Sequence, residues 1–344
     1  MKVLIVADPI TGLLPRSDTG LILLRESLAR GHETHWAQAT DVGLAGTQVI
    51  VRSKRVLSCA ENKKPLLDKA GAVRPVAEFN SVWIRKDPPF DDSYVSLCWL
   101  LQLAAAPPPD GPEARDVRSS LPVMVNHPGL LLRYHEKTLP FLALRTGYLR
   151  EADLVPTLLS GSIQSAKDLP PSVRTTFSDV EIVTKPWLGH GGGGVRQHPK
   201  LETALKHAAK ADRGGDRQMI QPLVSEVTTA GDRRAFFLNG QYRGGFIRLP
   251  KKGGIISNLA AGGSAVDRPL TPREKELCDR LSRFFTEIGR PLGLYFAGVD
   301  LLAGRVSEIN VTAPTGLAKL NELTGAALAP AYLDFVERLV ARRP

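Results

Sequence analysis

The chain has 344 residues, 43% hydrophobic and 23% charged, with a formal net charge of +10 and 3 cysteines. That length buries a large core and suggests two or three domains, and the ordinary globular composition shows no low-complexity block or repeat. The charge favours anionic partners, but Lys and Arg are scattered in short pairs such as Lys63-Lys64 and Lys251-Lys252, which fits a small anion better than a nucleic-acid track.

MKVLIVADP opens the chain; its apolar run is too short for a signal peptide and reads as a buried strand ending at the turn Asp8-Pro9. No run approaches the ~20 apolar residues of a membrane span. The widely spaced Cys59, Cys98 and Cys278 suggest neither a disulfide framework nor a zinc site, so a reducing cytoplasm is the expected compartment. SDTGLILLRESLARG reads as a helix capped by Ser17 or Asp18 and ended by Gly31, with Leu21, Leu24 and Leu28 on one face. Strands at Ser81–Ile84 and Val123–Val125 complete an α/β unit with a parallel sheet. APPPDGPEARD at 106–116 reads as a surface loop.

A second segment, 126–215, holds the strand VEIVTKPW, the glycine run KPWLGHGGGGV and the helical stretch LETALKHAAKA. The run matches neither a Walker loop nor a G-x-G-x-x-G turn. It reads either as a mobile linker or as a lid whose bare backbone approaches phosphates. Lys185, four residues ahead, would aim an ammonium at the same anion. Lys137, in NHPGLLLRYHEKTLP, reads by residue type as a solvated surface lysine. His135 and His190 lack metal spacing with other His or Cys residues.

From residue 216 come the strand RQMIQPLV and then RRAFFLNGQYRGGFIRL, a hairpin turning at Asn239-Gly240. TPREKELCDRLSRFFTEIG predicts a helix with a Thr271/Glu274 capping box, Pro272 in its first turn and Leu277, Leu281, Phe284 and Ile288 at helical spacing. DLLAGRVSEIN follows. A three-residue loop, Leu302-Ala303-Gly304, would put Asp300, Glu308 and Asn310 on one face, whereas an even-numbered loop would separate Asp300 from the other two. Such hard oxygens either hold Mg²⁺ with room for waters and phosphates, or alternate outward along an exposed edge.

Together Lys137, KPWLGHGGGG, QPLVSEVTTAGDRR, FIRLP, SNLAAGG and GVDLLAGRVSEINVTAPTG resemble the ATP-grasp ligases, and within them the bacterial glutathione synthetases; VADPI and WIRKDPPFDDSY agree. The resemblance implies an α/β chain, α+β in its C-terminal part: a substrate-binding Rossmann-like pre-ATP-grasp domain over 1–125, a central lid domain over 126–215 and a C-terminal ATP-grasp domain over 216–344. It implies synthesis of an amide from γ-glutamylcysteine and glycine through an acylphosphate, with ATP and Mg²⁺ (or Mn²⁺) required. Lys137 and Lys185 would contact ATP phosphates beneath Gly191, Gly192 and Gly193, and Asn258 would lie near those phosphates or the metal. Gln221 and Leu223 would flank adenine. Asp232 would be the acid near the nucleotide, with Glu226 its rival for the ribose. Asp300, Glu308 and Asn310 match metal positions, Arg234 and Arg248 would neutralise the transferring phosphoryl and the tetrahedral oxygen, and Asp8, Ser17 and Arg85 would touch the dipeptide. No nucleic acid or membrane is implied, and a homo-oligomer stays open. Ala313 replaces the usual Ser of N-V-T-S-P-T, while Trp187-Leu188, His190, His127 and His135 also depart from the pattern and 106–116 looks inserted. Another ATP-grasp ligase with a different acid and amine, and a catalytically silent ATP-binding regulator, are the competing readings.

Overall fold

The computed structural model describes residues 1–106, 121–161, 163, 165–257, 259 and 262–342, and its strands form three sheets among them. All of the 106–116 stretch except residue 106, and Asn258, lie outside the described residues.

β1 (Lys2–Ala7), β2 (Glu33–Ala37), β3 (Val42–Ala45), β4 (Gln48–Ser58), β5 (Leu66–Leu67), β6 (Ala72–Pro75), β7 (Ser81–Arg85) and β8 (Val123–Val125) build the first sheet. Its order is β3-β4-β2-β1-β7-β8, with β5 and β6 also paired to β4. The run β2-β1-β7-β8 is parallel, and β4 joins it antiparallel. Parallel strands are covered on both faces, which is why the opening apolar run does not alternate; Val3 through Val6 are wholly buried. The helix Thr19–Ala29 starts at Asp18, whose carboxylate accepts from Leu21 N at 2.8 Å.

β9 (Leu158–Leu159), β10 (Ile182–Pro186), β11 (Arg196–His198) and β12 (Gln218–Pro222) form an antiparallel sheet ordered β11-β10-β12-β9. Its small core of Leu158, Phe177, Ile182, Leu205 and Ile220 is separate from the others. The RQMIQPLV strand therefore pairs back onto β10, although it follows residue 216.

β13 (Asp232–Leu238), β14 (Gln241–Leu249), β15 (Ser264–Val266), β16 (Phe296–Leu302) and β17 (Arg305–Asn310) make the third sheet, ordered β15-β14-β13-β16-β17. Asn239 and Gly240 turn β13 into β14 with φ of 51° and 79°, as a two-residue hairpin loop demands. The helix Pro272–Phe284 has its capping box in both directions, Glu274 N to Thr271 Oγ1 at 3.2 Å and Thr271 N to Glu274 Oε2 at 2.9 Å.

The final hairpin corrects the sequence expectation. Its loop is the two-residue pair Ala303-Gly304, with φ of 47° and 68°, because Leu302 pairs with Arg305. That even loop would turn Glu308 away from Asp300, but a bulge inserts Ser307 between the Leu301–Val306 and Asp300–Glu308 pairs. One extra residue restores the odd spacing. Asp300, Glu308 and Asn310 thus share a face by a different route.

Asn126, just past β8, fastens the first sheet to the third. Its Oδ1 accepts from Tyr295 N and Phe296 N, both at 2.8 Å, and its Nδ2 donates to Phe296 O at 2.7 Å and Val311 O at 2.6 Å. Asn126→Ala leaves buried backbone groups of β16 unpaired, so chemical denaturation should show a loss of about 2–4 kcal/mol; an unchanged midpoint would show that this fastening contributes nothing.

Candidate active site

Strand alternation decides which charges meet. On β13, Asp232 and Arg234 point to one face while Arg233 points to the other, where it reaches Glu274 at 2.8 Å. Register then places Asp232 opposite Arg248, Arg234 opposite Asp300, and Asp300 opposite Glu308. The resulting row is bonded throughout. Arg248 Nε and Nη2 donate to the two oxygens of Asp232 at 2.7 and 2.5 Å, and Nη2 lies 3.0 Å from Asp300 Oδ2. Arg234 Nε and Nη2 clamp Asp300 at 2.6 and 3.0 Å. Lys185, at the end of β10, donates to Glu308 Oε1 at 3.0 Å.

These groups line a cavity of about 780 Å³ between the three sheets, with Gly191, Gly192 and Gly193 above and Gln221 and Leu223 at the side. Lys137 departs from the solvated lysine that its residue type suggests. It is 2% exposed, and its ammonium donates to the carbonyls of Pro186, Trp187 and Gly189 at 3.1, 2.9 and 2.6 Å. A surface lysine by composition is here the pin beneath the glycine loop. Two of the loop glycines pack too closely for a side chain, since a Cβ at Gly192 would lie 2.7 Å from Ile256 and one at Gly194 2.7 Å from Pro186.

The electrostatics follow from burial and pairing. Burial alone would raise the Asp300 carboxyl, yet Arg234 and Arg248 hold it below the usual range; Lys185 and Lys137 do the same for half-buried Glu308. Burial lowers the Lys137 ammonium. Glu136 lines the cavity and escaped the sequence reading. Burial and then the charge of Glu308 push its carboxyl up to about 8. Its side chain has no hydrogen-bond or ion-pair partner among the described residues, and beyond adjacency to Lys137 no local pattern marks it.

Other expected residues are divided. Asp8 and Ala313 line the cavity, and Asp8 Oδ2 accepts from Asp87 N at 2.7 Å. Ser17 is exposed outside it, because Asp18 takes the capping role. Arg85 is buried and off the cavity wall; it donates to Pro314 O at 3.0 Å, behind the 312–315 turn. Glu226 is exposed and also off the wall, whereas Asp232 is on it. No group of three or more His, Cys, Asp or Glu side chains among the described residues could hold a metal. The hairpin offers instead two carboxylates and an amide. Glu308 spends one oxygen on Lys185, and Asn310 uses its Nδ2 on Gly298 O at 3.0 Å and on Asp300, leaving its Oδ1 for a cation. Hard oxygens of this kind suit Mg²⁺, which keeps waters and phosphates as its other ligands.

The sequence matches the family models described as prokaryotic glutathione synthetase, N-terminal domain, over 1–108 and prokaryotic glutathione synthetase, ATP-grasp domain, over 156–325. It is 31% identical to the glutathione synthetase of Prochlorococcus marinus subsp. pastoris over 97% of this chain and 98% of that one. The Gloeobacter violaceus glutathione synthetase is 29% identical, with 98% and 96% covered. The fold is that of the ATP-grasp ligases. D-cycloserine synthetase superposes with a TM-score of 0.62 at 16% identity, covering 100% of both chains, and Vibrio cholerae D-alanyl-alanine synthetase A with 0.58 at 13%, covering 99% and 98%.

Lys137→Met should unfasten the glycine loop and raise amide hydrogen exchange across 186–194 by roughly tenfold or more, since charge-assisted hydrogen bonds contribute about 1.5–3 kcal/mol each; unaltered exchange would place the fastening elsewhere. Glu136 gives a pH prediction. Its folded-state pKa lies above the usual 4.5 at about 8, so the native state retains a proton that the unfolded chain loses, and stability falls as pH rises through that window. Glu136→Gln should match the parent near pH 4.5 and exceed it by several kcal/mol at pH 8 in denaturant titrations, at about 1.4 kcal/mol for each pH unit crossed.

Proposed function

The chain belongs to the prokaryotic glutathione synthetase family, and from that premise we propose that it joins γ-glutamylcysteine to glycine. It is an ATP-dependent carbon–nitrogen ligase. The proposed chemistry has the dipeptide carboxylate attack the γ-phosphoryl of ATP, which releases ADP. The glycine amine then attacks the acylphosphate, loses a proton and expels phosphate.

The single observation that carries this reading is the charged row across β14, β13, β16 and β17, facing Lys137, Lys185 and the glycine loop in one cavity. Phosphoryl transfer needs neutralised charge and alignment more than it needs a nucleophilic side chain. Lys137 and Lys185 would exchange their present partners for ATP phosphates, and Gly191, Gly192 and Gly193 would close over them. Gln221 and Leu223 would border adenine, with Asp232 the acid near the nucleotide. Glu308 and Asn310 would hold Mg²⁺ or Mn²⁺, with Asp300 joining once it is drawn from its arginines; the metal would supply charge neutralisation at the phosphates. Released from Asp300 and Asp232, Arg234 and Arg248 would face the transferring phosphoryl and the tetrahedral oxygen. Water exclusion falls to the loop, because an acylphosphate hydrolyses. Asp8 would meet the dipeptide from the first sheet, while Arg85, bonded to Pro314 O, would act on it only through the turn that it holds.

A second reading rests on Ala313, which lines the cavity where the family pattern usually has Ser. A missing hydroxyl at that wall favours a different amine on the same ATP machinery. A silent ATP binder has no use for so complete a set of phosphate-neutralising groups.

Phosphate release should rise when γ-glutamylcysteine and glycine are supplied together, above either alone and above γ-glutamylcysteine with D-alanine. No stimulation by the pair would overturn the glutathione assignment, and stimulation by D-alanine would favour the second reading. Glu308→Gln should lower the stimulated rate by about 10²–10³-fold.

A further inference from the structure

At the Asn239 end of the third sheet, the opposite end of β13 from Asp232, lies a second cavity of about 270 Å³. Its floor is Tyr295, just before β16, and Phe335 on the helix Leu328–Ala341, with ring centroids 5.3 Å apart at 52°. Arg290, Arg338 and Arg342 stand around it. All three are exposed. None has a hydrogen bond or ion pair through its side chain among the described residues, and the same holds for the Tyr295 hydroxyl and the Asn239 carboxamide that borders the cavity.

The helix sorts its charges to produce this. Phe335, Arg338, Leu339 and Arg342 recur at helical spacing along one stripe. The helix's acidic residues Asp334 and Glu337 lie on another stripe, where Arg30 takes them at 2.7 and 3.1 Å and His32 reaches Glu337 at 2.8 Å. Acids that would neutralise the arginines are thus committed to the helix Thr19–Ala29 and its C-terminal turn. What remains is a concave surface with guanidinium, hydroxyl and amide donors and an apolar base.

We propose that this second cavity is a binding site for a phosphoryl group, carried by a small phosphate monoester whose body rests on Tyr295 and Phe335. A guanidinium fork pairs bidentately with phosphate oxygens, and three forks suit a dianion with three terminal oxygens better than a single carboxylate. The volume sits just below the ~300–1,000 Å³ typical of ligand pockets, so a compact ligand fits and a dinucleotide does not. The aromatic base separates the monoester from free phosphate, which has nothing to place there. This site is independent of the ligase reading, since it shares no residue with the large cavity.

The test is isothermal titration of the full chain with phenyl phosphate, inorganic phosphate and benzoate at fixed ionic strength, repeated on Arg338→Gln/Arg342→Gln. Because the large cavity is intact in both proteins, the difference between them reports this site alone. The expected result is at least a tenfold weaker phenyl phosphate affinity in the double variant, with ATP binding unchanged and benzoate weak in both. Inorganic phosphate binding as tightly as phenyl phosphate, and lost in the same variant, would keep the phosphoryl site and overturn the monoester. Arg338→Lys/Arg342→Lys retains charge without the fork and should lose severalfold; full retention would reduce the site to diffuse attraction and overturn the clamp. Equal phenyl phosphate binding in parent and Gln variant, or none to the parent at millimolar concentration, would overturn the proposal.

Discussion

Asp300 sits between two guanidiniums, and the rest of the site is arranged around that contact. Removing a buried carboxylate from water is costly unless it is paired and hydrogen-bonded, and here Arg234 and Arg248 both bind it. Each arginine is in turn delivered by a strand whose register leaves little choice. Slipping β13 by one residue would bring Arg233 to the cavity and send Arg234 toward Glu274. The pairs also set the ligand-free state. Arg234, Arg248, Lys185 and Lys137 each already have a partner, so none of the four can meet a new anion without giving up a contact it now makes.

Much of the fold was legible because its signals were local. Ser17 or Asp18 ahead of a leucine-rich helical stretch, Asn239-Gly240 between two apolar runs and Thr271 three residues before Glu274 each point to a local geometry, and the structure has all three, with Asp18 the cap of the first. Alternation likewise puts Glu308 and Asn310 on one face, and Asp300 with them only if the count between the strands is odd. What sets that count could not be read locally. Ala303 takes a left-handed conformation that side chains usually avoid, and the bulge at Ser307 comes from pairing with β16, which no local spacing reveals.

Residues whose setting depends on distant partners were the ones that local pattern alone could not place. Lys137 looks solvated until β10 and the glycine loop supply three carbonyls around it. Glu136 had no pattern at all, since its character comes from burial beside Glu308. Ser17 and Arg85 were carried by resemblance, and the local structure assigns one to solvent and the other to a supporting contact behind the cavity wall. Sequence patterns report a residue's neighbours in the chain well, and its neighbours in space only where an element repeats.

The separate core beneath the second sheet has a mechanical consequence. The first and third sheets contribute apolar residues to shared clusters, Val82 and Val299 to one and Trp83 and Phe296 to the other, and Asn126 ties them again. The second sheet, by contrast, holds Leu158, Ile182 and Ile220 to itself. Rocking that unit against the remainder disrupts no common interior, so its hinges can be soft while the carboxylate-bearing chassis stays stiff. Graft experiments that exchange pieces between such enzymes should respect that seam: the middle module is transferable, and a cut between the flanking two divides a single interior.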